Sequence, residues 1–130
     1  MIKSAKKEWK FRKNCAILGR KTGGEQMKIL VLSDSHSTLR HMCSAVEKVK
    51  PDAIVHLGDF FQDGEVIREK YPSIAFFQVP GNCDRYRCRP DVPEIMIPRI
   101  GGVDVYMTHG HKHHVKMGLG GLLREARTMG

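Results

Sequence analysis

Residues 28–32 read KILVL, an apolar run from Ile29 onward with no polar alternation. A strand of that kind is buried on both faces, which asks for a sheet with a layer on either side. Two more runs of strand length follow, residues 53–57 and 74–79. Between the first two lies helical periodicity: Thr38 can cap a helix that lines up Leu39, Met42, Cys43, Val46 and Val49 and stops at Pro51. Residues 65–71 form a shorter helix candidate closed by Pro72. Beyond a proline-bearing connection at residues 89–93, two strand-like segments (94–100 and 103–108) flank Gly101-Gly102, a strong hairpin signal. Leu119, Leu122, Leu123, Ala126 and Met129 then recur at the spacing of a core-facing helix. The order is βαβαβ, a β-hairpin and a helix. An α/β fold with a parallel sheet crossing over to an antiparallel hairpin follows.

Charge divides the chain into two parts. Residues 1–26 hold eight basic and two acidic side chains, +6 of the formal +8. The basicity is therefore an N-terminal extension, read as a flexible tail, and residues 27–130 are the domain. Met27, directly before the first strand, is a candidate start. The tail carries no interleaved aromatics beyond Trp9 and Phe11, so a nucleic-acid module ranks last. Cys15, Cys43, Cys83 and Cys88 make no CxxC pair and no disulfide framework, and Cys43 reads as a small core residue. No apolar run approaches the length of a membrane span, and a cytoplasmic protein without a membrane partner is expected.

Chemistry gathers just past the strands, where open α/β sheets place their sites. Asp34-Ser35-His36 follows the first run, and its two ligand-type side chains, two residues apart, face the same way if extended. A carboxylate with an imidazole suits a first-row divalent metal better than calcium. Gly58-Asp59 adds a carboxylate able to bridge two ions, the glycine permitting a tight turn. Gly81-Asn82-Cys83-Asp84 adds a neutral amide oxygen at Asn82. Cys83 reads as thiolate ligand, general acid or space-filler, and Asp84 as a residue that orients a neighbour or caps the loop. His109-Gly110-His111 closes the series, with His109 the better ligand and His111 a further candidate beside a phosphate. His113 and His114 read as surface loop, His56 as a hydrogen-bonded sheet residue and His41 as the polar side of its helix. Arg85, Arg87 and Arg89 suit either an anionic substrate or a solvated loop.

At these four clusters the chain resembles the calcineurin-like metallophosphoesterases, and within them the small branch typified by the bacterial YfcE phosphodiesterase and its relative, the eukaryotic retromer subunit. The resemblance implies a β-sandwich flanked by helices with two divalent metal ions, manganese first among Mn, Ni, Fe and Zn. It implies Asp34, His36 and Asp59 on one ion and Asp59, Asn82 and His109 on the other. Cys83 takes the place where many relatives carry a histidine proposed to protonate the leaving group, so Cys83 and Asp84 are the expected catalytic pair. The family pattern runs on to a further strand and a Gly-His-x-His motif, toward which residues 122–130 (LLREARTMG) are expected to lead. The domain is thus expected to be incomplete at its C-terminus, with three protein ligands per ion and an exposed core face. The expected function is hydrolysis of a small phosphodiester or phosphomonoester by a metal-activated water. A non-catalytic scaffold of the retromer kind and an inactive fragment are the alternatives. A homo-oligomer is left open.

Overall fold

The KILVL run lies in strand β3 (Glu25–Leu32), the middle strand of a five-stranded sheet. The structure is a computed structural model that describes residues 8–12, 15–22, 25–33, 39–84, 91–113 and 117–129. On one side β3 pairs in parallel with β4 (Ala53–His56), and β4 with β5 (Ala75–Gln78). Helices α1 (Leu39–Val49) and α2 (Phe61–Lys70) make the two crossovers. Two-sided burial of β3 and β4 follows as expected. Leu30, Leu32 and Ile54 pack with Met42, Val46 and Ile67 on the helix side, while Ile29, Ala53, Val55 and Val79 face Ile100 and Met107 on the other. Full burial of residues such as Leu30, Ile54 and Ile67 contributes roughly 1.5–3 kcal/mol each, which makes the sheet the rigid base of everything above it.

The second layer is the expected hairpin. Strands β6 (Ile95–Met96) and β7 (Arg99–Ile100) return as β8 (Val103–Asp104) and β9 (Met107–Thr108), with β6 on β9 and β7 on β8. Gly101 and Gly102 both take positive φ (58° and 78°), as a tight two-residue hairpin loop requires. Pro98 has no N–H to give, so it parts the two ladders, while its carbonyl still accepts from Val105 at 2.9 Å. The hairpin lays Ile100 and Met107 on the sheet and forms the sandwich.

Three expectations need correction. Residues 1–26 do not read as tail throughout: β1 (Glu8–Arg12) and β2 (Cys15–Thr22) are strands, and β2 pairs antiparallel with β3 from Cys15↔Leu32 to Thr22↔Glu25. The edge of β3 offers a row of backbone donors and acceptors, and pairing them outweighs what charge alone suggests. Helix α2 starts at Phe61, four residues before the expected start at Glu65, for a reason located in the site below. Helix α3 (Gly120–Thr128) forms, but it is not core-facing: none of its residues is buried, and Leu119, Leu123 and Met129 are exposed. An apolar stripe is buried only where another layer meets it, and both faces of the sheet already carry one. Among the described residues no helix is long and apolar enough to cross a membrane.

Candidate metal centre

The turn between β4 and α2 carries the centre. Gly58, Asp59 and Phe60 follow one another at φ 104°, 61° and 62°. Two non-glycine residues in the left-handed region cost about 1–3 kcal/mol each and persist only where the surroundings over-determine them. Those surroundings are visible. Leu57 N–H donates to the Leu32 carbonyl at 2.8 Å, and Gly58 N–H to His56 Nδ1 at 3.2 Å. Phe61 N–H donates to Asp84 Oδ1 at 2.9 Å. The result is a nearly buried Asp59 carboxylate whose Oδ1 accepts the Cys83 N–H at 2.9 Å.

A second turn crosses the first. After β5, Pro80-Gly81 leads into the short 3₁₀ turn Asn82–Asp84. A Cβ on Gly58 would meet the backbone of Pro80 and Gly81, and one on Gly81 would meet the Asp59 carboxylate and backbone. Glycine at both places lets the two main chains touch. Asp84, 0% exposed, joins them: Oδ2 accepts Gly81 N–H at 2.8 Å while Oδ1 accepts Phe61 N–H. Helix α2 is therefore capped by a carboxylate 23 residues away, with no side-chain cap from Phe60. That distant cap is why α2 begins before local sequence announces it. It also moves Asp84 out of the catalytic pair expected for it, because a fully buried carboxylate with both oxygens on backbone donors touches no substrate. Asp84→Asn turns one acceptor oxygen into a donor facing an N–H, and is expected to cost about 2 kcal/mol in urea denaturation.

His109 enters from the end of β9. Its Nδ1 lies 2.8 Å from the Leu57 carbonyl, an oxygen that can only accept, so Nδ1 carries the proton. Its Nε2 then faces Asp59 Oδ2 at 3.7 Å, with the two side chains 13% and 6% exposed. Two acceptor atoms facing each other at that distance in a largely buried site can share a bound cation. An imidazole anchored by a backbone carbonyl and presenting its other nitrogen is also how metal-binding histidines are oriented. The donors present thus fit a divalent cation.

The other expected residues fall around this pair. Asn82 and Cys83 are exposed beside it, with Asn82 Nδ2 3.6 Å from Cys83 Sγ. His111 packs its ring 5.6 Å from that of His109, and its Nδ1 is buried with no hydrogen-bond partner among the described residues. Burial, then the neighbouring His109, pulls the His111 pKa below its ordinary value. Asp34, His36, Thr38, Arg85, Arg87, Arg89 and His114 lie outside the described residues, as does the His113 side chain. Among the described residues no three His, Cys, Asp or Glu side chains converge as a metal cluster. His41 is exposed and Cys43 partly buried against the helix-side core, both as read.

His56 is a hydrogen-bonded sheet residue, as read, but sequence reasoning missed that it belongs to a polar floor beneath the turn. His56, Asp63 and Gln78 are buried with Asp84 on the helix side of the sheet. Gln78 donates from Nε2 to the Phe61 carbonyl at 2.6 Å. The available signal was a polar residue next to last in each of these two runs, His56 and Gln78, in register across β4 and β5. Burial lowers the His56 pKa from 6.5 to about 4, only partly offset by Asp84, Asp63 and Asp59. Between those two values the unfolded chain holds the extra proton, so this contribution is complete above about pH 6.5 and lost as pH falls toward 4. Stability should drop by about 2 kcal/mol from pH 7 to pH 5 through this group. Urea midpoints at the two pH values should lose that slope in His56→Asn.

Comparison with known proteins gives one consistent picture. Residues 27–129 match the calcineurin-like phosphoesterase superfamily domain. The chain is 25% identical over 107 residues to YsnB of Bacillus subtilis (strain 168), described as a probable metallophosphoesterase, covering 80% of this chain and 59% of that protein. It also resembles the crystal structure of a conserved uncharacterized protein, a predicted phosphoesterase, from Streptococcus pneumoniae TIGR4. That match has a TM-score of 0.57 and 26% identity and covers 78% of this chain and 55% of the other. The chain thus spans under two thirds of the length of both relatives.

Proposed function

The chain belongs to the calcineurin-like phosphoesterase superfamily, and from that membership we propose that it is a cytoplasmic, metal-dependent phosphodiesterase acting on a small phosphodiester. The observation that carries the reading is the Asp59–His109 pair, two acceptors 3.7 Å apart with the histidine's other nitrogen anchored on Leu57. In this reading Asp34, His36 and Asp59 hold one divalent ion, Asp59, Asn82 and His109 hold the other, and manganese is the first candidate. Bound ions would supply positive charge at the phosphoryl oxygens and a water made nucleophilic at neutral pH.

The protein's own part is placement and charge. Asp59 enters from a strained turn, and Cys83 N–H is one of the groups that holds its Oδ1. Asn82 contributes an oxygen without added negative charge, which leaves room for an anionic substrate. Cys83 is exposed at the rim next to Asn82 and is the side chain available to protonate the leaving oxygen. His111, its ring 5.6 Å from that of His109, is the further candidate to stand beside a phosphoryl oxygen.

The test is turnover of bis(p-nitrophenyl) phosphate and of p-nitrophenyl phosphate with added Mn²⁺, Ni²⁺, Fe²⁺ or Zn²⁺. The expected result is chelator-sensitive hydrolysis that favours the diester and is largest with Mn²⁺. Hydrolysis of neither ester with any of the four ions would reject the reading. A preference for the monoester would reject its diester specificity.

A further inference from the structure

Directly beneath the metal-facing turn lies a histidine that the proposed reaction does not use. His56 ends β4, is 0% exposed, and stands three residues before Asp59. Its Nδ1 is 3.2 Å from the Gly58 nitrogen, which can only donate. Nδ1 therefore carries a lone pair, the ring is neutral, and its proton is on Nε2. The bond spans residue i to residue i+2, the reach of an Asx turn, and is made here by an imidazole.

We propose that His56 is a positioning residue for the metal centre: its Nδ1 holds the Gly58 N–H and thereby keeps the left-handed Asp59 turned toward His109. The proposal rests on the reading of Asp59 and His109 as metal ligands and assigns the part of the structure that orients them. The geometry leaves few other candidates. Three successive positive φ angles must be held from both ends. Asp84 holds the far end through Phe61 N–H, and Leu57 is held by its backbone to Leu32. The Gly58 N–H, at the point where φ first becomes positive, is held by His56. Release of that amide would let Gly58 relax and carry the Asp59 carboxylate away from His109 Nε2.

Two substitutions separate the hydrogen bond from mere bulk. Asn at position 56 keeps an acceptor where Nδ1 stands and can close an Asx turn on Gly58. Leu keeps apolar volume but accepts nothing. In the metal-free full chain, exchange of the Gly58 amide with solvent should accelerate at least tenfold in His56→Leu and stay near wild type in His56→Asn. Mn²⁺ affinity, read from the free-ion electron paramagnetic resonance signal, should fall roughly 10–100-fold in His56→Leu, the usual effect of losing a group that orients a ligand. In His56→Asn it should stay within about threefold of wild type, well short of that orienting effect. Equal exchange and affinity in all three proteins would overturn the assignment, as would parallel losses in Asn and Leu. Failure of wild type itself to bind Mn²⁺ would instead reject the metal-centre reading, while the exchange pattern would still decide what His56 holds.

Discussion

Asp59→Ala is expected to lower metal-dependent turnover by at least about 100-fold, beyond the 10–100-fold typical of groups that merely orient a ligand. Asp59 is the one carboxylate among the described residues that meets His109, and in the proposed assignment it is shared by both ions. Its removal takes away a charge from a nearly buried position, where electrostatic terms are large. The fold should survive less well than after a surface change. The Cys83 N–H loses its acceptor, worth about 1–3 kcal/mol if left unpaired. Alanine also tolerates φ 61° less well than aspartate does. Asp59→Asn is therefore the informative companion, since it keeps an acceptor for Cys83 and an αL-tolerant residue while removing the charge. Both variants should lose Mn²⁺-dependent hydrolysis of the chromogenic diester. Turnover retained by either within tenfold of wild type would show that Asp59 holds no catalytic ion.

The largest expected loss of stability is at Gly58. An alanine there would combine a left-handed φ of 104° with a Cβ at 2.7 Å from both the Gly81 Cα and the Pro80 carbonyl carbon. Those obstacles are backbone, not the mobile end of a side chain, so relief requires pulling the two crossing turns apart. A cost above about 3 kcal/mol is expected, a large fraction of the total stability of a small domain. Gly81→Ala should behave similarly, since its Cβ would lie 2.5 Å from the Asp59 nitrogen. Gly102→Ala is the control: its φ is 78°, but nothing lies within 4 Å of the added carbon, so only the backbone cost of about 1 kcal/mol applies. Urea denaturation of the three variants reads the difference directly. Equal costs at Gly58 and Gly102 would mean that the turns do not touch.

Much of the architecture was legible because it depends on local pattern. Short apolar runs announced β3, β4 and β5, helical spacing announced α1, and Gly101-Gly102 announced the hairpin, each through residues within a few positions of one another. The errors share the opposite property. Residues 8–12 and 15–22 become strands because β3 offers an edge, and no tail sequence reports the edge it will meet. The stripe on α3 correctly foretold a helix but not its exposure, since a stripe records what could be buried and not whether a partner arrives.

The site divides in the same way. Residue chemistry alone named Asp59, Asn82 and His109 as ligand types and placed them after strands, because strand ends and ligand types are written in short segments. Only the tertiary structure decided that His109 Nε2 faces Asp59, that Leu57 sets its tautomer from 52 residues away, and that Asp84 braces instead of catalysing. Those relations join side chains far apart in the chain, brought together by burial of the apolar runs. Short-range pattern specifies which groups are available; the packed sheet and its two crossing turns specify which way each one points.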